Sequence, residues 1–557
     1  MYNSIKKYLE LIKVVPKYKW FFYLLLSVLI SLLEIVSITL IVPLIQIGLG
    51  SMEMEKIYQN NLINYFLNNK NKNEIFTYIL FLFVFLYIFK IFLYTYCKYF
   101  TYKILSELDY LISSYVLTKY LHASLSNINK QNISKYIRNI TIEVKNLVSF
   151  TSSLCNLILE SIIFIFIIIF LFLYFGIHIF IYALILILPI LLVYNYQKKT
   201  FENLSIERQK TQKNILQLIN DFFSSIEEIK IYKLENKIIN KFNLSNQSLV
   251  NVIKNKSFYM ELPRQLIEII IIISFGTYFL FFYFSNQSPS YLIQNLSVLA
   301  IVGFRLMPSL NRIITSFQNL NYLAASVITI YNDYNSHNFS NTDNNKRINF
   351  EKSFEISKIC FSYSVDKKLI QNFNFKINKN DKIIMSGVSG IGKSTILKII
   401  TGLIQPTSGR FIIDTKEIDQ INRTNLKFGY VSQKSFLFDD TILNNIIFFR
   451  KNYSKSKLQN ILKITLCNEF IDKLPDGINT KIGEDGILLS GGQIQRIAIA
   501  RSLVDNPSIL ILDESTNSLD EEKEESIIKN LINLNVTLIF VSHKKKLFRY
   551  FKKTLLF

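Results

Sequence analysis

The sequence has little with which to cross-link itself or to hold a soft metal. Its four cysteines, Cys97, Cys155, Cys360 and Cys467, show neither paired nor metal-like spacing, so no disulfide framework is implied and the soluble part is expected in a reducing compartment. A concentrated basic patch is also missing. The formal net charge is +22, but the basic residues are dispersed, which argues against nucleic acid as a partner and reads as membrane topology. A signal-peptide cleavage site is absent too. The apolar run from Trp20 to Gly48 is too long for a signal-peptide core, so it reads as a span. Before it stand Lys6, Lys7, Lys13, Lys17 and Lys19 against one acid, Glu10, which places the N-terminus in the cytoplasm.

Apolar residues, by contrast, are abundant and unevenly spread. Half of the chain is hydrophobic, with 46 Phe and 32 Tyr, and the mean hydropathy is +0.26. Through about residue 330 the apolar residues form long runs; after about 350 the sequence is ordinarily globular. A membrane domain at 1–330, a linker at 331–347 and a soluble domain at 348–557 are therefore expected. Six spans can be placed, at about 20–48, 76–101, 143–175, 177–197, 262–284 and 291–325. Connections after the second and fourth are long and basic, whereas the others are neutral or mixed, so both termini face the cytoplasm. The two long connections carry apolar residues at helical spacing, which predicts that the spans continue as helices into the cytoplasm. Their turns, near LHASLSNINKQN and DFFSSIEEIKIYKLEN, are placed to touch another domain. In the first outside loop, IYQNNLINYFLNN fits either a short amphipathic helix on the membrane surface or a plain loop helix.

The soluble part alternates short apolar runs with helical segments, as an α/β domain does. Within it, GVSGIGKST follows the apolar run KIIM and precedes a helical pattern. Gly387, Gly390 and Gly392, with the backbone of Val388, Ser389 and Ile391, would close N–H groups around phosphates. Lys393 would reach the β- and γ-phosphates, Ser394 would ligate Mg²⁺, and Thr395 continues the phosphate-binding turn. The apolar strand SILILDES ends in Asp513, placed to hold the Mg²⁺ shell, and Glu514, the natural group to polarise an attacking water. A second phosphate-binding helix start follows from LSGGQ, where Ser490, Gly491, Gly492 and Gln493 open an amphipathic helix.

A P-loop, an LSGGQ segment and an acid-tipped strand in one domain resemble the ATP-binding cassette (ABC) family. The resemblance implies further roles. Tyr363 would stack on adenine, Gln433 would sense Mg²⁺ at the membrane-facing side, and His543 would contact the γ-phosphate. TKIGEDG matches the exporter-type X-loop, and Ser518, Leu519 and Asp520 the D-loop. The usual final hairpin and helix of the cassette are missing after His543, which predicts minimal closing elements. Family cassettes face one another with ATP between P-loop and LSGGQ. With one of each, the chain is expected to be a half-transporter that pairs with a second copy of itself or with a related chain.

Charged residues inside the spans bear on the cargo: Glu34, Lys90, Glu160, Arg264, Glu268, Arg305 and Arg312. Arginine in a span costs at least about 2.5 kcal/mol, and Arg305 and Arg312 lie two helical turns apart on one face. Two readings stay open on physics alone. Either Lys90, Arg264, Arg305 and Arg312 line a cavity as a cationic patch for a phosphate-bearing head group, or Arg305 pairs with one of the three glutamates while Arg264 and Arg312 snorkel. RLMPSLNRIITSFQNLNYL, ELPRQLIE and Phe89–Lys90 resemble the PglK-type family of lipid-linked oligosaccharide flippases. That resemblance implies an undecaprenyl-pyrophosphate-linked glycan as cargo, moved between leaflets of a bacterial inner membrane, with Lys90 standing where the family has arginine. Exporters of another lipid, drug or peptide, and an ATP-gated channel or regulator, are the competing readings.

Overall fold

The computed structural model describes residues 2–48, 72–129, 131–176, 178–284, 289–336, 350–364, 367–388, 390–418, 426–483 and 486–557. The IYQNNLINYFLNN segment, Ser389 and most of the expected linker lie outside them. The chain divides into two compact units, 1–123 with 130–338, and 124–129 with 339–557.

Six long helices build the first unit: α1 (Lys17–Gly48), α2 (Lys72–His122), α3 (Val144–Phe175), α4 (His178–Ser224), α5 (Glu235–Phe284) and α6 (Pro289–Ser336). Four stretches of the described residues are long and apolar enough to cross a membrane: Lys17–Ile47, Asn73–His122, Ile133–Phe175 and Asn295–Asn335. With 51 residues, α2 extends about 75 Å at 1.5 Å per residue. That is more than twice a hydrocarbon core, so the helix continues well past its apolar part, as its period implies. Similarly, α6 runs through Ser336, six residues into the stretch read as linker. Gly176 ends α3 at φ +70°, a left-handed conformation that glycine adopts without strain.

Buried apolar positions on these helices meet in one main cluster. Ile30, Leu108, Leu147, Phe150, Ile163, Phe201, Leu320 and Val327 belong to it. On the outer face of α2, Phe81, Phe85, Ile88 and Phe92 are exposed at helical spacing, the surface that a span presents to lipid. The unit also contains a buried polar knot. A π-helical turn, Asn139–Glu143, opens α3, and the Glu143 carboxylate lies 3.5 Å from Arg138 and 3.7 Å from Arg208. It also accepts from Gln209 at 3.0 Å.

The second unit holds two sheets. The first, in order β2-β1-β4-β5, comprises β1 (Ser353–Ser364), β2 (Lys367–Asn378), β4 (Ser408–Ile413) and β5 (Lys416–Ile418), paired antiparallel. The second runs β6-β7-β8-β3-β9 and is parallel: β3 (Lys382–Ser386), β6 (Phe428–Val431), β7 (Ile509–Asp513), β8 (Thr537–Val541) and β9 (Lys553–Leu556). Apart from Asp513 at the end of β7 and Thr537 at the start of β8, both strands are apolar, and every residue in them is buried, as expected of central strands covered on both faces. Three helices matter for the site: α7 (Lys393–Ile400), α8 (Gly491–Leu503) and α9 (Glu521–Ile532).

Register aligns the strand ends. Asp513 on β7 pairs with Val541 on β8, which pairs with Met385 on β3. In a parallel sheet, all the loops that leave these ends emerge on one side, where such sheets bind ligands. Past His543 the chain supplies a 3₁₀ turn, Lys545–Tyr550, and the edge strand β9. Phe551 stacks on Phe540 and Phe557 on Phe373, at 5.5 and 5.4 Å between ring centres. Segment 124–129 belongs to this unit, with Leu125 packed against its apolar cluster.

Candidate functional site

Four strand-end loops bring the nucleotide-site residues together. The P-loop leaves β3 and enters α7, Gln433 follows β6, Asp513 and Glu514 end β7, and His543 follows β8. Gln433 Nε2 donates to Glu514 Oε2 at 3.1 Å, and Glu514 Oε1 lies 3.1 Å from His543 Nε2. His543 Nε2 is in turn 2.9 Å from Lys393 Nζ. These four side chains, from four segments of sequence, form one continuous chain of polar contacts.

Local geometry explains how the sequence places them. Gly392 caps α7 at φ +106°, a backbone that favours glycine and turns the amides of the helix start inward. Lys393 Nζ donates to the Gly387 carbonyl at 2.6 Å and lies 3.5 Å from that of Val388. Its ammonium therefore sits inside the P-loop, where phosphate oxygens would replace those carbonyls. Val388 and Ile391 expose their side chains and contribute backbone, whereas Thr395 is buried beneath the turn. Glu514 adopts φ +50°, costly for a residue with a Cβ and typical of functional positions.

The donor set fits Mg²⁺. The Ser394 hydroxyl hydrogen-bonds Asp513, while Tyr430 donates to Asp513 at 3.4 Å. Burial, and secondarily the Glu514 charge, raise the Asp513 pKa above the usual carboxylate range against the Ser394 hydrogen bond. A buried carboxylate bonded to a serine hydroxyl offers hard oxygen donors, the type that magnesium prefers.

At the other phosphate-binding element, Ser490 caps α8 reciprocally with Gln493. Ser490 N donates to Gln493 Oε1 at 2.8 Å and Gln493 N to Ser490 Oγ at 3.3 Å, a capping box. Gly491 and Gly492 lie against Ser518: a Cβ on Gly492 would meet the Ser518 carbonyl oxygen at 3.0 Å. Tyr363 is carried by β1; its side chain, like Ser389, lies outside the described residues. Sequence reasoning missed Gln495, whose Oε1 accepts from Ser518 N at 3.0 Å. It stands two residues past LSGGQ, and no local pattern marks it.

The membrane unit carries a second charged cluster. Arg305 Nε is 2.6 Å from Glu34 Oε1, with Nη2 3.1 Å from Oε2. Lys90 Nζ lies 3.4 Å from the same carboxylate and 3.7 Å from the centre of the Tyr87 ring. Arg312 engages Glu160 in the same way, at 2.6 and 3.4 Å. The structure thus joins Lys90 and Arg305 through Glu34 and gives Arg312 its own partner. Arg264 does not join them; it pairs with Glu268 one turn along α5, at 3.2 Å. Both glutamates are buried, whereas Arg305 and Arg312 stay partly exposed, at 28 and 40%. Arg305 thus takes one of the glutamates, as the pairing reading allowed, but Arg312 and Arg264 are held by Glu160 and Glu268 instead of snorkelling, and the part-exposed guanidinium edges of Arg305 and Arg312 keep room for a second anion.

Comparison with known proteins fits both units. Residues 20–305 match the model of the ABC transporter transmembrane region, and 370–517 match the ABC transporter model for the cassette. A heterocyst differentiation ATP-binding protein of Nostoc is 32% identical over 246 residues, 42% of this chain and 40% of that protein. The ATM1-type heavy metal exporter of Novosphingobium aromaticivorans is 36% identical over 196 residues, 34% of this chain and 32% of that protein. An ATP-dependent lipid A-core flippase of Legionella pneumophila is 28% identical over 364 residues, 63% of this chain and 61% of that protein. These matches therefore span about a third to three-fifths of the relatives' lengths. A bacterial Atm1-family ABC exporter solved with ATP bound superposes with TM-score 0.79 over 96% of this chain and 92% of that one, at 19% identity. At that identity the likeness concerns the fold.

Proposed function

The chain belongs to the ABC transporter family, and on that premise we propose that it is an ATP-hydrolysing half-transporter that flips a polyprenyl-pyrophosphate-linked glycan. The observation that carries the ATPase is the continuous contact of Gln433, Glu514, His543 and Lys393. When bound, Mg²⁺ supplies a Lewis acid that neutralises charge developing on the phosphate oxygens. Ser394, Asp513 and Gln433 would hold it. Glu514 orients and deprotonates the attacking water, placed by its contacts to Gln433 and His543. Lys393 turns from its loop carbonyls to the β- and γ-phosphates, and His543 donates to the γ-phosphate.

A second copy completes each site. The P-loop and the capped LSGGQ helix are carried by different elements of one chain, and the family's facing arrangement supports a homodimer. ATP between the cassettes closes the pair, and segments near 121–132 and 221–236 turn the spans.

For the cargo, the support is the cluster at Lys90, Arg305 and Arg312 together with the resemblance of α6 to glycolipid flippases. A pyrophosphate would accept from the partly exposed guanidinium edges, and the polyprenyl tail would remain in lipid. Arg264 would act nearer the cytoplasmic entrance, since it stands apart from the cluster. The setting is a bacterial inner membrane with both termini in the cytoplasm, as the lysine distribution indicates. A relative named as a lipid A-core flippase favours a second reading, a different lipid cargo. Flipping of a fluorescent pyrophosphate-linked glycan in proteoliposomes separates the two. ATP-dependent movement of that lipid supports the proposal, and ATPase without its movement rejects this cargo.

A further inference from the structure

The active-site loops are strained and part-exposed, yet they are held from behind by one buried carboxylate. Glu524, on the first turn of α9, is 1% exposed. Its Oε1 accepts from the Thr516 hydroxyl at 2.6 Å and its Oε2 from Lys544 Nζ at 2.6 Å. Thr516 lies two residues after Glu514, and Lys544 is the residue after His543. Both oxygens therefore end on the loops that carry the water-activating carboxylate and the switch histidine.

We propose that Glu524 is a positioning residue for hydrolysis, tying the Glu514 loop to the His543 loop through Thr516 and Lys544. Three observations converge on it. First, Glu514 adopts φ +50°, a strained conformation that persists only where its surroundings over-determine it. The two residues after it, Ser515 and Thr516, are 0 and 1% exposed, so Thr516 is a fixed anchor. Second, the backbone is locked on the other side, with Glu514 N donating to Val541 O at 3.3 Å and Ser542 N to Met385 O at 3.2 Å. Between those locks, the Glu514–His543 distance of 3.1 Å is set by how far apart Thr516 and Lys544 stand. Third, the tie extends to the LSGGQ helix. Leu519 N donates to Thr516 O at 3.1 Å, and Ser518 N donates to Gln495 on α8 at 3.0 Å. Movement at the capped start of α8 thus reaches the Glu514 and His543 loops of the same chain through Ser518 and Thr516.

A neighbouring pair shows why Glu524 differs from an ordinary surface contact. Lys546 and Glu521 meet at 2.8 Å, but their side chains are 70 and 72% exposed, and exposed pairs hold geometry weakly. The Glu524 carboxylate is buried, so removing Lys544 leaves its charge without a countercharge and removing Thr516 leaves one oxygen without a donor.

The inference rests on the proposed ATP hydrolysis, so wild-type turnover of the full-length protein in nanodiscs is measured first. No wild-type turnover would reject the hydrolysis reading and this tie with it. Given turnover, Lys544→Met should lower kcat about tenfold and leave KM for ATP, and the affinity for TNP-ATP, within about threefold. Lys544→Arg should retain at least half of wild-type kcat, and Lys546→Met should match wild type. Should Lys544→Met fail to fold, the double variant Glu524→Gln/Lys544→Met removes both charges, and low kcat with TNP-ATP bound is the supporting result. Wild-type kcat in a folded Lys544→Met or in the double variant overturns the proposal. So does a Lys544→Arg protein as slow as Lys544→Met, or a KM that rises as much as kcat falls.

Discussion

The cassette and the membrane unit solve the same problem, holding several charges close together, in opposite ways. In the cassette, the strand order of a parallel sheet fixes where each charged side chain emerges, and each lies beside a glycine turn, a strand end or a helix cap. In the membrane unit, charges on separate long helices find one another across lipid-facing chain. Arg305 pairs with a residue 271 positions away and Arg312 with one 152 away. A motif can encode the first arrangement. The second is a tertiary fact, and buried glutamates decide it.

That contrast can be broken most forcefully at Glu514. Glu514→Gln should reduce ATP turnover at least about a hundredfold, the range for losing a general base, while TNP-ATP still binds. In the membrane unit, Arg305→Ala should lower flipping of a pyrophosphate-linked lipid about tenfold, the worth of one charge-assisted contact, and Arg305→Lys should recover part of it. Undiminished flipping by Arg305→Ala would make the arginine purely structural. Glu34→Gln leaves two cations without their carboxylate and should destabilise the unit by about 3 kcal/mol or more, read as a lower unfolding temperature in detergent.

Asp513 sharpens the comparison from the other side. Its raised pKa means that the folded protein binds this proton more tightly than the unfolded chain. Stability from this group is thus present below the ordinary carboxylate pKa and lost as pH rises through the raised value. At neutral pH the ionised carboxylate is a cost, so Asp513→Asn should raise the unfolding temperature of the nucleotide-free protein while abolishing Mg²⁺-dependent turnover. The smallest effect concerns Lys382, whose pKa burial lowers to about 8. Its ionised form is disfavoured in the fold, so stability should rise with pH between about 8 and the unfolded lysine pKa. Lys382→Met should flatten that rise.

The two regions also differ in how much could be read beforehand. Gly392, Lys393, Ser394, Asp513 and Ser490 could be assigned because backbone conformation and helix caps restrict which residues stand at fixed spacing. Continuity of the helices beyond their most apolar stretches was legible from apolar period. Glu34 and Glu160 were visible only as charges in spans. Which arginine each would take depended on how α1, α3 and α6 pack. The Glu143 knot and the Glu524 tie were not legible at all. Glu524 sits in EEKEE, a run that reads as a solvated helix face, and only the fold turns one of its acids inward.

Flipping in proteoliposomes tests the central claim most directly. With the purified full-length chain, ATP should move a fluorescent polyprenyl-pyrophosphate-linked glycan to the opposite leaflet, and Glu514→Gln should stop it. ATP hydrolysis by the wild type with no movement of that lipid would contradict the account.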